Sequence, residues 1–495
     1  MRHLILIIAG TLALAASLPA QESAVQMEFT LEEVVELAHE QSPMAIMARH
    51  QFRSSYWEYR TYKAKYLPGL NMEAVLPYLN RSIEKVIQPD GTEEFMNRSV
   101  MNSSLDFNLT QNVGLTGGSV FMSSSLQRID NLGDDVATSY LSYPVTIGFN
   151  QPINGYNAFK WERMIEPAKY QEARKNYIHT LEQVSNRAVG YFFDLALAQI
   201  NLEIARKNYA NNDTLYNIAK GRYQLGTIAE NELLQMELSF LNAGTALNEA
   251  NIDLEVRKFR LRSFLGFNEL VDISLSLPHA IPDLQIDFAR AFQEALDNNP
   301  EILELDRQLL EAEQRVAEAR AEKGLQADLF ALYGLSKNAD DLGGVYQNPR
   351  DQQRIRVGFT VPILDWGLGR GRYRMAQSSQ EVVKTNVMQS KTDFEQEVFL
   401  QVMQFNLQDD QLAIAAKADT IAQSRYEVTK QRFLIGKIDV LDLNVALEEK
   451  DVARRGYVSA LRNYWDYFYN LRILTLYDWI EQVKLEEDFD DILQQ

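Results

Sequence analysis

The segment RIRVGFTVPI, residues 354–363, is followed after a short glycine-rich turn by a run from Arg370 to Gly436 that holds no Pro or Gly beyond Gly371. Ile355, Val357, Phe359 and Val361 alternate with Arg354, Arg356, Gly358 and Thr360, the period of a strand with one apolar face. In the run that follows, Val398, Phe405 and Leu412 stand seven apart, the spacing of a coiled-coil seam. At 1.5 Å per residue, about 65 residues make a rod of roughly 100 Å. RFLIG, residues 432–436, stops the helix, and Asp439 can cap the next one. Strand, rod, sharp turn and returning rod to about Leu474 form the unit that decides the fold.

The unit occurs twice. Gly148-Phe149 and Pro152-Ile153 lie 210 positions before Gly358-Phe359 and Pro362-Ile363. Tyr216, Lys220, Arg222, Gly226 and Ile228 match Tyr426, Lys430, Arg432, Gly436 and Ile438 at the same offset. A gap-free register over that distance marks an internal repeat. Nearer the N-terminus the offset is 257, as from Pro43 to Pro300, so the first copy carries an insertion of about 47 residues. The expected division is residues 21–270 for repeat 1, 271–480 for repeat 2 and 481–495 for an acidic tail without an evident partner. Thr30-Leu31-Glu32-Glu33 is a capping box, and Ser42-Pro43 starts a second helix. Strands are expected near 70–78, 141–149, 328–335 and 354–361. Residues 80–138 look like loop, with a hairpin signal at Leu105–Leu109, Thr116-Gly117-Gly118 and Ser119–Gln127. Residues 265–287, with Pro278 and Pro282, read as a linker.

Composition bounds the function. A net charge of −19 argues against a nucleic-acid partner, which needs a basic face. The absence of Cys removes disulfides, thiol catalysis and Cys-based zinc sites. Residues 1–20, with Arg2, an apolar run from Leu4 to Ala16 and Leu18-Pro19-Ala20, read as a signal peptide for export. The alternative is an N-terminal membrane anchor. The five His form no H-x-x-H pair, and no phosphate-binding loop is present. No catalytic, metal or cofactor site is expected, and the chain is not read as an enzyme.

Two strands per repeat make four per chain, or six if the inserted hairpin joins the sheet. Four strands cannot close, and an open edge cannot sit in lipid. Copies of the chain must then share one wall. The duplicated strand–long helix–Gly–helix unit resembles the TolC family of outer-membrane efflux and secretion channels, most specifically at Arg222–Gly226 with Leu233 and at Arg432–Gly436 with Asp442 and Leu443. The resemblance implies a mainly α fold with a membrane β-barrel portion: a homotrimer in the cell outer membrane, with a 12-stranded barrel and an α-helical tunnel in the periplasm. It implies a periplasmic adaptor docking on the tips at Arg222, Leu225, Gly226, Thr227, Arg432, Ile435, Gly436 and Lys437, and an inner-membrane pump, proton-driven or ATP-driven, behind that adaptor. Relatives close the tunnel with acidic residues after the second tip. A gap-free alignment puts Asp442 there, and a three-residue gap adds Asp439, whose other reading is a helix cap. Arg370, Arg372 and Arg374 with Lys160 and Arg163 form a collar, either solvated or in contact with anionic outer-membrane lipid. The implied function is the passive exit duct of a tripartite efflux system. Type I protein secretion is one alternative, and an exported coiled-coil scaffold without a pore is another.

Overall fold

The computed structural model describes residues 25–87, 89–132, 136–267, 271–278 and 281–494. The expected signal peptide lies outside them. In order, the chain forms β1 (Val25–Phe29), α1 (Leu31–Gln41), α2 (Pro43–Ala64), β2 (Gly69–Ile87), β3 (Glu93–Val113), β4 (Gly118–Asn131), β5 (Ala137–Ile153), α3 (Ala158–Gln224) and α4 (Glu230–Leu265). Then come β6 (Val271–Leu275), α5 (Phe288–Asn298), α6 (Pro300–Glu322), β7 (Gln326–Ala339), β8 (Arg350–Thr360), α7 (Leu368–Asn406), α8 (Gln408–Leu434), α9 (Val440–Thr475), β9 (Tyr477–Asp478), β10 (Val483–Lys484) and α10 (Phe489–Gln494).

Local chemistry sets the element ends. The Thr30 hydroxyl accepts from the Glu33 N–H while the Glu33 carboxylate accepts from the Thr30 N–H, so the capping box is present. The Ser42 hydroxyl accepts from the Ala45 N–H at the start of α2. Asp287 and Asn299 cap α5 and α6 in the same way. The repeat is legible in these bounds: α3 and α7 start 210 apart, α4 and α9 start and end 210 apart, and β2 and β7 start 257 apart.

The chain divides into two compact units, each drawn from both repeats. Among the described residues, one comprises residues 25–47, 181–285 and 403–470 and is mainly helical, with the parallel pair β1 and β6, in which Met27 opposes Ile273. Its interior includes Phe192, Phe193, Leu195, Leu261 and Leu265. Phe405 packs on Tyr464 and Phe468 with ring centroids 5.3 and 6.2 Å apart. More than half of the apolar stretch inside α3 is buried within the protein. Val398, Phe405 and Leu412, the expected seam, are all buried.

The other unit comprises residues 48–180, 286–402 and 471–495 and contains an antiparallel sheet in the order β2-β3-β4-β5-β7-β8. The sheet has six strands, not four. The inserted hairpin lies inside it as β3 and β4, so residues 80–138, expected as loop, are mostly strand. Six is the second of the two counts that the sequence allowed.

Alternation divides the two faces of this sheet. One row of directly opposed residues runs Leu70, Leu109, Met122, Ile147, Tyr333 and Gln353, apolar up to its last member. The next row, pointing to the opposite face, is Asn71, Asn108, Ser123, Thr146, Gly334 and Gln352. Val357 and Phe359 extend the apolar face and are exposed. Across the polar face, the Phe121 and Phe330 rings stack at 6.0 Å. A Cβ on Gly148 would meet the Phe121 ring at 2.5 Å and the Ala331 carbonyl at 2.7 Å, so no side chain fits there. Beyond the last β3–β4 pair, Val100 with Asn131, the Leu132 N–H donates to the Ser99 carbonyl, and the arms of β2 and β3 then pair with each other up to Ile87 and Glu93. With 19 and 21 residues, these strands far exceed the ~10 that cross a bilayer.

Three further expectations change. The rod after Gly371 is interrupted at Leu407, between α7 and α8, where the backbone stays right-handed (φ −84°, ψ −14°). Residues 265–287 contain β6, which forms because β1 supplies a partner distant in sequence. The acidic tail also has partners. Phe489 packs on Phe52 at 4.9 Å, Arg174 lies over the Phe489 ring, and Arg53 Nε donates to the Ile492 carbonyl.

If the inserted hairpin lies against lipid, the two faces of β3 must differ in tolerance. Phe107→Arg, on the apolar face, is expected to lower stability in liposomes by about 2–4 kcal/mol at the bilayer midplane. Asn108→Arg, on the opposite face, is expected to be near neutral. Urea unfolding followed by heat-modifiable gel migration measures both.

Candidate functional site

The two helical turns expected as tips are built alike. At the first, the Gly226 N–H donates to the Tyr223 carbonyl at 2.9 Å and the Thr227 N–H to the Arg222 carbonyl at 3.0 Å. At the second, Gly436 donates to Phe433 at 2.9 Å and Lys437 to Arg432 at 3.0 Å. The six-to-one bond closing each helix requires a left-handed residue, and Gly226 and Gly436 have φ of +71° and +74°. At the first tip the Thr227 hydroxyl also donates to the Arg222 carbonyl.

Between the tips lies a groove of about 490 Å³. Among the expected tip and gate residues, Arg222, Thr227, Gly436, Lys437 and Asp439 line it, and Glu232 joins them. Arg222 ties the two tips together: its guanidinium donates to the Leu434 carbonyl at 3.1 Å and lies 5.6 Å from the Phe433 ring centroid. Leu225 and Ile435, equivalent by the repeat, project into solvent. Arg432 and Asp442 are exposed and do not line the groove. The Asp439 carboxylate accepts from the Asp442 N–H at 2.9 Å, one residue before α9 begins, so Asp439 is a helix cap.

Beneath the groove is an apolar plug of Leu215, Ala219, Met236, Phe433, Val440 and Leu443. Phe433 and Leu443 lie in stretches already marked in the sequence, whereas Met236 does not. The signal was present: Met236 and Ala446 are 210 apart and both buried. Above the plug, polar contacts hold the helices. Arg454 pairs with Asp419 at 3.0 Å, Arg425 with Glu449, and Asn208 donates to Asp451 at 2.6 Å. Burial, with Glu427 and Asp451 nearby, pushes the Tyr426 hydroxyl up to about 12.

The collar residues lie in the unit that holds the sheet. Arg372 is 4.0 Å from Glu322, matching with inverted charges the Lys65–Glu162 pair of the first repeat at 2.6 Å. The Lys160 ammonium lies 5.8 Å from the Trp161 ring centroid.

Comparison with known proteins agrees with this geometry. The profile of the outer membrane efflux protein family matches residues 112–267 and 291–475. Outer membrane efflux protein BepC of Brucella suis is 24% identical over 264 residues, 52% of this chain and 56% of that protein. An uncharacterized protein of Haemophilus influenzae is 27% identical over 105 residues, 20% of this chain and 23% of that one. The chain thus spans about half of BepC and less of the second relative. The crystal structure of the Campylobacter jejuni CmeC outer membrane channel superposes with a TM-score of 0.66 at 16% identity, covering 94% of this chain and 88% of that one. At that identity the likeness speaks to the fold.

A Cβ on Gly436 would meet no atom within 4 Å, so only its backbone conformation resists substitution. Gly436→Ala is expected to cost about 1–2 kcal/mol, the strain of a left-handed L-residue. Gly436→Asn should cost less, because Asn enters that region more readily. Denaturant midpoints of the two variants in detergent give the comparison.

Proposed function

The chain belongs to the outer membrane efflux protein family, and from that premise we propose that it is the outer-membrane exit duct of a tripartite efflux pump. It conducts small molecules passively from a periplasmic tunnel to the exterior. The observation that carries this reading is the sheet, with a row apolar across five strands on one face and a polar row across six on the other. One face suits lipid and the other a water-filled lumen. β2 and β8 are unpaired edges, and an edge cannot stand in hydrocarbon, so copies of the chain must close the wall. A homotrimer of six-stranded sheets makes eighteen strands. Since diameter grows roughly linearly with strand number, such a barrel is about 1.5 times as wide as one of twelve strands.

The two repeats, residues 21–270 and 271–480, each supply one helical tip. A periplasmic adaptor docks on these tips, with the exposed Leu225 and Ile435 as apolar anchors. An inner-membrane pump delivers cargo through that adaptor. Asp442, exposed in the first turn of α9, is the gate residue, and Asp439 holds the helix start beside it. Adaptor binding opens the tips by favouring one of two helix arrangements. The Arg222 contacts with Phe433 and Leu434 belong to the closed arrangement.

Asp442→Ala is expected to raise closed-state conductance in planar bilayers. An unchanged conductance removes Asp442 from the gate. Asp439→Ala should instead destabilise the start of α9 by about 0.5–2 kcal/mol, the loss of an N-cap. Denaturant titration separates that effect from gating.

A further inference from the structure

The insertion that enlarges the sheet also carries cations to one level of its apolar face. Above the Leu70–Gln353 row, Ala74, Leu105, Leu126, Ser142 and Lys337 oppose one another on that face. The next row on it is Ser103, Arg128, Tyr140 and Ala339, and Arg81 opposes Ser99 two rows higher. Arg98, Arg350, Arg354 and Arg356 point to the other face. Barrel strands tilt by about 40°, so two residues along a strand climb about 5 Å and a step to the next strand about 3 Å. The apolar band sets the sense of the lean: on β8 it stops at Ile355, below Gln353, whereas Leu70, in the row of Gln353, opens it on β2. Arg81, Arg128 and Lys337 then fall within about 4 Å of one level, roughly 20–25 Å above Leu70, the top of an outer-membrane apolar band. Two of the three belong to residues 80–138, the insertion that the second repeat lacks.

Arg128 is held in place. Its guanidinium donates twice to one Asp130 oxygen, at 3.0 and 2.8 Å, and lies 5.9 Å from the Tyr140 ring centroid. The Thr138 hydroxyl donates to the same oxygen at 2.6 Å. Asp130, spent on Arg128, and Asp351 at the β8 edge are the carboxylates of that level, so the cations prevail. Above it the β2–β3 arm continues. Ile83 and Phe95, on the same face, are 70% and 76% exposed, with Asn97 and Lys85 directly opposite them. Phe95 stands about 15 Å above the cations. A phospholipid headgroup ends short of that height, whereas a chain of sugars reaches it. Since α2 enters β2 and β5 leaves into α3 at the foot of the sheet, the arm lies at the far end, the exterior under the duct reading.

Building on the reading of this face as a membrane wall, we propose that the inserted hairpin and its arm bind a phosphorylated glycolipid of the outer leaflet. Its acyl chains lie along Leu105 and Leu126. Its phosphates meet Arg81, Arg128 and Lys337. Its sugars stack on Phe95, whose negative ring face attracts their C–H groups. The collar cations lie at the foot of the sheet, where the helices start, and take no part.

Full-length protein in detergent is titrated with fluorescently labelled deep-rough lipopolysaccharide, which carries lipid A and inner-core sugars. Labelled phosphatidylglycerol, with a phosphate and no sugar, is the comparison. Anisotropy should show lipopolysaccharide binding about tenfold more tightly. Arg81→Glu/Arg128→Glu should weaken that binding about tenfold, and Arg81→Gln, at an exposed position, about fivefold. Phe95→Ala should weaken lipopolysaccharide about threefold and leave phosphatidylglycerol unchanged. Arg354→Glu, on the opposite face, should change neither. Heat-modifiable migration reports folding, and if the double reversal does not fold, Arg81→Gln and Phe95→Ala decide. Equal affinity for the two lipids, or a loss in Arg354→Glu matching that in the Arg81 variants, overturns the glycolipid site. Planar-bilayer conductance of the same wild-type preparation separates the two levels of inference. Conductance without a preference for lipopolysaccharide overturns this site alone, and absence of conductance overturns the duct whatever the lipid result.

Discussion

A β-strand edge cannot be left bare in hydrocarbon. Each unpaired N–H and C=O there costs several kcal/mol, with no water to take its place. The six-stranded sheet satisfies this demand internally from β3 to β7 and fails it at β2 and β8. Everything notable about the two edge strands follows. Apolar side chains stand exposed on both, from Leu70 and Met72 on one edge to Ile355 and Phe359 on the other. β2 carries a register shift between Val75 and Tyr78, at Pro77, a residue that has no N–H to donate.

The helices answer a different demand. Long rods with an apolar stripe need neighbours along their length. Within the chain they find them in part: the plug under the tips and the Phe405–Tyr464–Phe468 cluster are closed cores, and side-chain pairs such as Arg454–Asp419 hold the α8–α9 hairpin. α7 finds fewer, and its Met375 and Met388 stand in the open. A duplicated unit makes this asymmetry informative, because each half shows what its equivalent looks like when the neighbour is present.

The tips illustrate how one sequence pattern produces two roles. Arg222 and Arg432 close their helices through the same backbone bond. Arg222 then reaches a ring and a carbonyl of the other tip, while Arg432 is left exposed. Asp439 and Asp442, weighed together from sequence, part company in the same way. One accepts a backbone N–H as a cap and the other remains exposed.

Sequence alone determined the features that depend on near neighbours in the chain. The capping box at Thr30, the proline starts at Pro43 and Pro300 and the glycine turns at Gly226 and Gly436 are satisfied by hydrogen bonds spanning at most six residues, and the 210-residue repeat is written in the residues themselves. The tertiary structure decided what depends on distant partners. Residues 93–131 joined the sheet because β2 and β5 offered edges to pair with. β6 formed because β1 lay beside it, and the acidic tail found its place through Phe52 and Arg53. Strand pairing and side-chain docking draw on segments up to hundreds of residues apart, and no local period encodes which of them will meet.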